Sequence, residues 1–212
     1  MMRHFTTILT FAALLALAGR AVPADDESGV NRDGYVTAWL LLAPIPLPEG
    51  QSGADALDKQ QVADEGKLQP KAGDTVKAGD KELTWKKHQS KEDILDINDF
   101  LGKQTEDSVA YAVAYMNVLE EMKGVQLKIG SDDQCKVYLN GKEVHKATEA
   151  RPLEKDQDTA EVTLQKGVNV LVFKIVNEKI DWSGSARFVD KEGKVVKGLK
   201  ASTTPSGGTE KK

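Results

Sequence analysis

Cysteine is nearly absent from the 212 residues: Cys135 stands alone. A lone cysteine forms no internal disulfide and builds no zinc cluster, so the core has to hold without covalent staples. Cys135 reads as a small buried apolar residue within a strand. Histidine is scarce as well. His88 and His145 lie far apart, without metal-ligand spacing. There is no Gly-x-Ser-x-Gly elbow, no P-loop and no His-Glu-x-x-His motif. A hydrolytic triad needs a nucleophile, a base and an orienting group in one cleft, and the sequence nominates none. Positive charge is not in excess: the formal net charge is -4, and the lysines alternate with Asp and Glu. That pattern describes a solvated surface, not the Lys/Arg stripe that nucleic acid selects.

Long apolar runs are missing too. The apolar stretch through Ile8, Phe11, Leu14, Leu15 and Leu17 falls short of the roughly 20 residues that span a bilayer. It follows the basic Arg3 and ends in the small residues of Ala21-Val22-Pro23-Ala24. A basic start, a short apolar run and a small-residue exit make a secretory signal peptide. Residues 1–24 are therefore read as a leader and the chain as exported, periplasmic or secreted, and not as an integral membrane protein. Residues 25–33 read as a disordered N-terminal segment, 34–199 as one domain, and the Ser/Thr/Gly/Lys-rich 200–212 as a disordered tail.

Period-two alternation is the dominant signal in that domain. Val125, Leu127 and Ile129 alternate with polar residues, as do Cys135, Val137 and Leu139. Such runs have one buried and one wet face. Residues 168–176 (VNVLVFKIV) are nearly continuous and β-branched, which predicts a central strand covered on both faces for most of its length. Residues 109–115 (VAYAVAY) put large side chains on one face and alanines on the other, implying close approach of a second layer. An early strand is expected at residues 35–42. Asn140-Gly141 is the pair that a type I′ hairpin turn requires, and Lys166-Gly167 and Glu192-Gly193 mark two further turns. Short strands separated by such turns predict an all-β sandwich or barrel. Two stretches fit less well. Residues 49–80 read as a long polar loop or insertion, with a short helix within 54–63. Residues 91–101 read as a helical turn or an extended edge.

Candidate chemistry is sparse. Asp132-Asp133 is the tightest carboxylate pair. Turn chemistry is its plain reading, because Asp side chains cap turns through their own backbone. A structural Ca²⁺ site and a catalytic pair are the alternatives. A sugar ring offers an apolar face and a polar rim, which an indole beside amide and charged groups complements. Trp182, with Asp181, Asn177 and Arg187 near it in sequence, is the best such cluster, unless Trp182 folds back to close the end of the sandwich. Trp85 is ambiguous, and Trp39 is expected in the core. Tyr138 falls on the polar face of its strand.

Residues 130–145 (GSDDQCKVYLNGKEVH) resemble the "GSDDGVKVWLNGKEVH" hallmark of galactose-binding-like domains of exported bacterial proteins, the kind found beside glycoside hydrolase or PA14-like modules. Further pieces agree in order. Residues 39–46 (WLLLAPIP) are similar to "WLVLGPFP", 96–102 to "VDLNAFFG" and 109–115 to "AVAYAVTYV". Residues 163–177, followed by Trp182 and Arg187, are similar to "VTLKKGWNRLLVKVxN…GWGFxxR". Ala43 and Gln134 replace family glycines, Val168 replaces a tryptophan, and residues 181–184 lack the clean Gly-Trp-Gly. The resemblance implies a single jelly-roll β-sandwich with ligand loops at one end. It implies a non-catalytic binding module for carbohydrate. A cell-envelope protein is the alternative partner, and a glycoside hydrolase-like enzyme the third reading.

Overall fold

The computed structural model describes residues 29–78 and 81–205. The expected leader, the start of the N-terminal segment and residues 206–212 lie outside the described residues. The protein is all-β, with antiparallel sheets.

The larger sheet is built on two central strands, β6 (Ser108–Val118) and β11 (Gly167–Asn177), which pair in unbroken register along their full length. β1 (Ala38–Pro46) and β4 (Lys86–Gln89) continue it on one side, and β8 (Cys135–Leu139) and β9 (Lys142–Ala147) on the other. The smaller sheet runs β10 (Asp158–Leu164), β7 (Met122–Asp132), β12 (Ser183–Val189) and β5 (Leu95–Asp96). β2 (Thr75–Ala78) and β3 (Lys81–Thr84) form a separate ribbon.

Two hydrophobic clusters explain this layering. The first lies between the sheets: Trp39, Ala110, Ala112, Ala114, Phe173 and Ile175 from the large sheet meet Leu127, Ile129, Ala186 and Phe188 from the small one. The alanine face of β6 is thus the close-packed interior face. Gly184 permits that approach, since a Cβ there would lie 2.6 Å from Ile175 Cδ1 and 2.8 Å from Phe173 Cε1. Trp39 packs against Phe173 and donates from Nε1 to the Val36 carbonyl, 3.1 Å away. Cys135 is buried here, and burial pushes its thiol up to about 11.

The second cluster covers the outer face of the large sheet. Tyr111, Val113, Tyr115, Val172 and Val176 pack against Ala56, Leu57, Val62, Ala78 and Trp85. The segment read as a polar loop is therefore a folded cover. It holds helix α1 (Gly53–Asp58), capped by Ser52, then a 3₁₀ turn (Glu65–Lys67), and then β2. Its larger apolar side chains, Leu57, Val62, Leu68 and Val76, all pack on that cluster.

Other expectations need revision at their edges. Residues 91–101 provide both readings in succession: β5, then helix α2 (Ile97–Leu101), whose N-cap Asp96 accepts from Asp99 N at 2.8 Å. Part of the segment expected to be disordered at 25–33 is ordered, with Val30 buried and bridged to Val36. The expected tail contributes β13 (Lys200–Ser202), which pairs with β6 and buries Ala201. Neither segment carries an apolar pattern; both are held by backbone pairing.

Candidate functional site: a cleft beside Trp182

A cleft of about 340 Å³ opens at one edge of the small sheet, lined by Ile94, Asp96, Asn98, Asp132, Pro152, Leu153, Asp181, Trp182 and Ser183. Register builds its polar side. Ser183 of β12 pairs with Asp132 of β7 on one flank and with Asp96 of β5 on the other. Directly paired residues project to the same face, so Asp132, Ser183 and Asp96 form one cross-strand row. The loop between β11 and β12 adds Asp181. Asn98 on α2 ties that loop down by donating from Nδ2 to the Ile180 carbonyl at 2.9 Å. Ile97 N donates to the Trp182 carbonyl at 2.9 Å.

The cleft is acidic. Burial first, then the nearby charges of Asp133 and Asp181, pushes the Asp132 carboxyl up to about 6, opposed by the Leu153 N–H. Asp133 is raised as well, chiefly by burial. Its Oδ2 accepts from Glu178 N at 2.8 Å, so this side chain ties down the loop after β11 instead of capping its own turn through neighbouring backbone. No cluster of three or more His, Cys, Asp or Glu side chains suited to a metal ion occurs among the described residues.

The sequence-nominated residues are only partly brought together. Trp182 and Asp181 both line the cleft. Trp182 is 1% exposed, so its ring offers no open stacking face. Asn177 is buried and donates from Nδ2 to the Thr105 carbonyl. Arg187 pairs with Asp156, its Nε 2.8 Å from Oδ1, and lies over the Tyr35 ring at 4.9 Å. Trp85 is 3% exposed and belongs to the outer cluster. Asp96, Asn98, Ile94, Pro152 and Leu153 are cleft residues that sequence reasoning missed. They come from segments distant in the chain, and only the pairing of β5 with β12 brings the first three in.

A second polar cluster was also missed. Lys174 sits inside the apolar run of β11 and is fully buried, with its Nζ 2.9 Å from Glu65 Oε2. A lysine in a strand covered on both faces has to be paired, and that was the available signal.

The chain matches no known protein-family model and no curated protein. Among solved structures it matches a GH31 alpha-xylosidase from Xanthomonas citri at 15% identity and a TM-score of 0.29. The match covers 50% of this chain and 15% of the xylosidase. Likeness at that level carries neither fold nor activity across.

Proposed function

We propose that this protein is an exported, non-catalytic binding module with a galactose-binding-like jelly-roll fold, and that its ligand is a carbohydrate taken up in the cleft beside Trp182. The observation that carries this reading is the cleft's composition: Asp96, Asp132, Asp181 and Asn98 converge over the apolar Ile94, Pro152 and Leu153. Small-molecule sites pair an apolar wall with a few convergent polar groups, and a sugar presents the matching C–H face and hydroxyl rim. Because Trp182 is covered, recognition works through shape and hydrogen bonds to carboxylates and amide, without indole stacking. The ordered resemblance of residues 39–187 to the family supports the jelly-roll assignment, and the leader-like residues 1–24 support export.

The test is a glycan-array screen of residues 25–212, with and without Ca²⁺, alongside Asp181→Ala and Asp132→Asn. Selective binding that both variants lose supports the reading. A folded sample that binds nothing under either condition sinks it.

One observation favours a cell-envelope protein as the partner instead. Ile94, which lines the cleft, is 38% exposed, and Ile180, next in sequence to the cleft residue Asp181, is 62% exposed. A protein partner docking over the cleft would cover both side chains. Under that reading Ile180→Ser abolishes capture of an envelope protein, while Asp181→Ala leaves it intact.

A further inference from the structure

The Glu65 carboxylate is held as a bound ligand would be. Lys174 Nζ reaches Oε2 at 2.9 Å, Tyr138 Oη reaches Oε1 at 2.7 Å, and the Tyr111 hydroxyl donates to Oε2. All three donors project from the outer face of the large sheet. Tyr111 of β6 pairs directly with Lys174 of β11, which pairs in turn with Lys136 of β8. The donors thus stand on three rigid neighbouring strands, their spacing set by sheet register. The cover brings to this pocket the carboxylate, the Leu57 and Lys59 carbonyls that accept from Lys174, and the Gln61 N–H that donates to the Tyr111 hydroxyl. Both charges are buried, with side-chain exposures of 0% for Lys174 and 3% for Glu65. A buried ion pair is a poor device for stability alone, since apolar side chains of similar volume serve as well or better.

The carboxylate is also carried on a slight element. Glu65 opens a single 3₁₀ turn, preceded by Asp64 in the left-handed region at φ 52°. A groove of about 400 Å³ lies against that turn. Gly66, Lys67, Leu68 and Gln69 form one wall, and Asn140, Gly141, Val168 and Val170 the other. Two more lysines extend the positive field along the sheet: Lys136 and Lys146 both bind Asp58 of the cover, at 2.9 and 2.7 Å.

We propose that Lys174, Tyr111 and Tyr138 form a second ligand site, a carboxylate pocket for a hexuronate residue, and that Glu65 occupies it as an internal competitor. A uronate carboxylate replaces that of Glu65, and its ring lies in the groove beside the half-buried Tyr138. This site lies on the outer face of the large sheet, whereas the cleft lies at the edge of the small one. The sugar part of the assignment rests on the glycan-binding reading.

Glu65→Ala removes the competitor and leaves the donors in place. The experiment follows thermal unfolding of this variant in potassium chloride, potassium acetate, sodium glucuronate and glucose, at matched ionic strength where salts are used. Acetate at about ten times its Kd should raise the midpoint by about 4 °C over chloride, and glucuronate should raise it further at equal concentration. Glucose should do nothing, and Glu65→Ala/Lys174→Met should not respond to either carboxylate. If Glu65→Ala is recovered unfolded, refolding in acetate but not in chloride supports the pocket. Failure in both overturns it, as does an unchanged midpoint in a folded sample. Rescue by acetate without rescue by glucuronate overturns the uronate assignment. Asp181→Ala, scored in parallel on neutral glycans, reports on the cleft separately, so either site can fail alone.

Discussion

Asp132 is a half-buried carboxylic acid whose proton is held more tightly in the folded state than in the unfolded one. Above pH 6 the folded protein therefore carries the cost of ionising it. Stability should rise as pH falls from about 6 toward the unfolded value near 4, and the effect is constant below both. A shift of about two units would amount to some 3 kcal/mol for a dry group, which solvent screening at this half-open site reduces to about 1 kcal/mol. Asp132→Asn should accordingly be more stable than the natural protein by about 1 kcal/mol at pH 8 and indistinguishable at pH 3.5, measured by urea unfolding. The neighbouring glycine works by space. A Cβ on Gly130 would lie 2.2 Å from the Glu154 carbonyl oxygen, so Gly130→Ala should lower stability by about 2 kcal/mol, read in the same assay. The β8–β9 hairpin was legible because its turn chemistry is local. Asn140 and Gly141 take φ values of 52° and 83°, as the Asn-Gly pair requires. Trp182 was not legible in the same way, since its burial depends on strands remote in sequence.

The cover over the large sheet is the element that local pattern described least well. Its composition is polar, and its anchors Leu57, Val62 and Trp85 are too widely spaced to show a period. What fixes it is the sheet beneath: Tyr115 donates to the Pro70 carbonyl at 2.6 Å, and Gln61 N donates to the Tyr111 hydroxyl at 3.2 Å. The strands themselves were far more legible. β6, β7 and β8 lie where alternation placed them, because each carries its own period-two record of which face is buried, and β11 lies where its nearly continuous apolar run placed it. Leu57 is fully buried at the end of α1, and truncating it leaves a cavity under the cover. Leu57→Ala should cost about 2 to 4 kcal/mol and speed protease cleavage within residues 49–78 before cleavage elsewhere. Uniform cleavage throughout the chain would show that cover and sheets unfold as one unit.

Across the whole molecule, segments far apart in sequence finish its edges. Gly29 lies against Ala201, where a Cβ would come within 2.3 Å of the Ala201 carbonyl oxygen. β13 lies along β6 beyond the end of the β1 pairing. Nothing in the composition of residues 29–33 or 200–205 announces this, because their contribution is backbone pairing with Val30 and Ala201 buried. Removing residues 200–212 should therefore lower the unfolding midpoint by several degrees, through loss of a three-residue pairing and the burial of Ala201. In hydrogen exchange, β6 and β11 should be the slowest segments, as each is paired on both sides and covered on both faces.

Cys135 sits on β8 of the large sheet with its side chain buried in the cluster between the two sheets, and it is the chain's single thiol. The protein therefore carries its own stopwatch. A thiol reagent added under native conditions can react only as fast as the layers part, so the colour it develops times the opening of the inter-sheet core without any label being engineered. Adding a ligand to either outer surface and watching that clock slow would show how far binding on the outside steadies the interior.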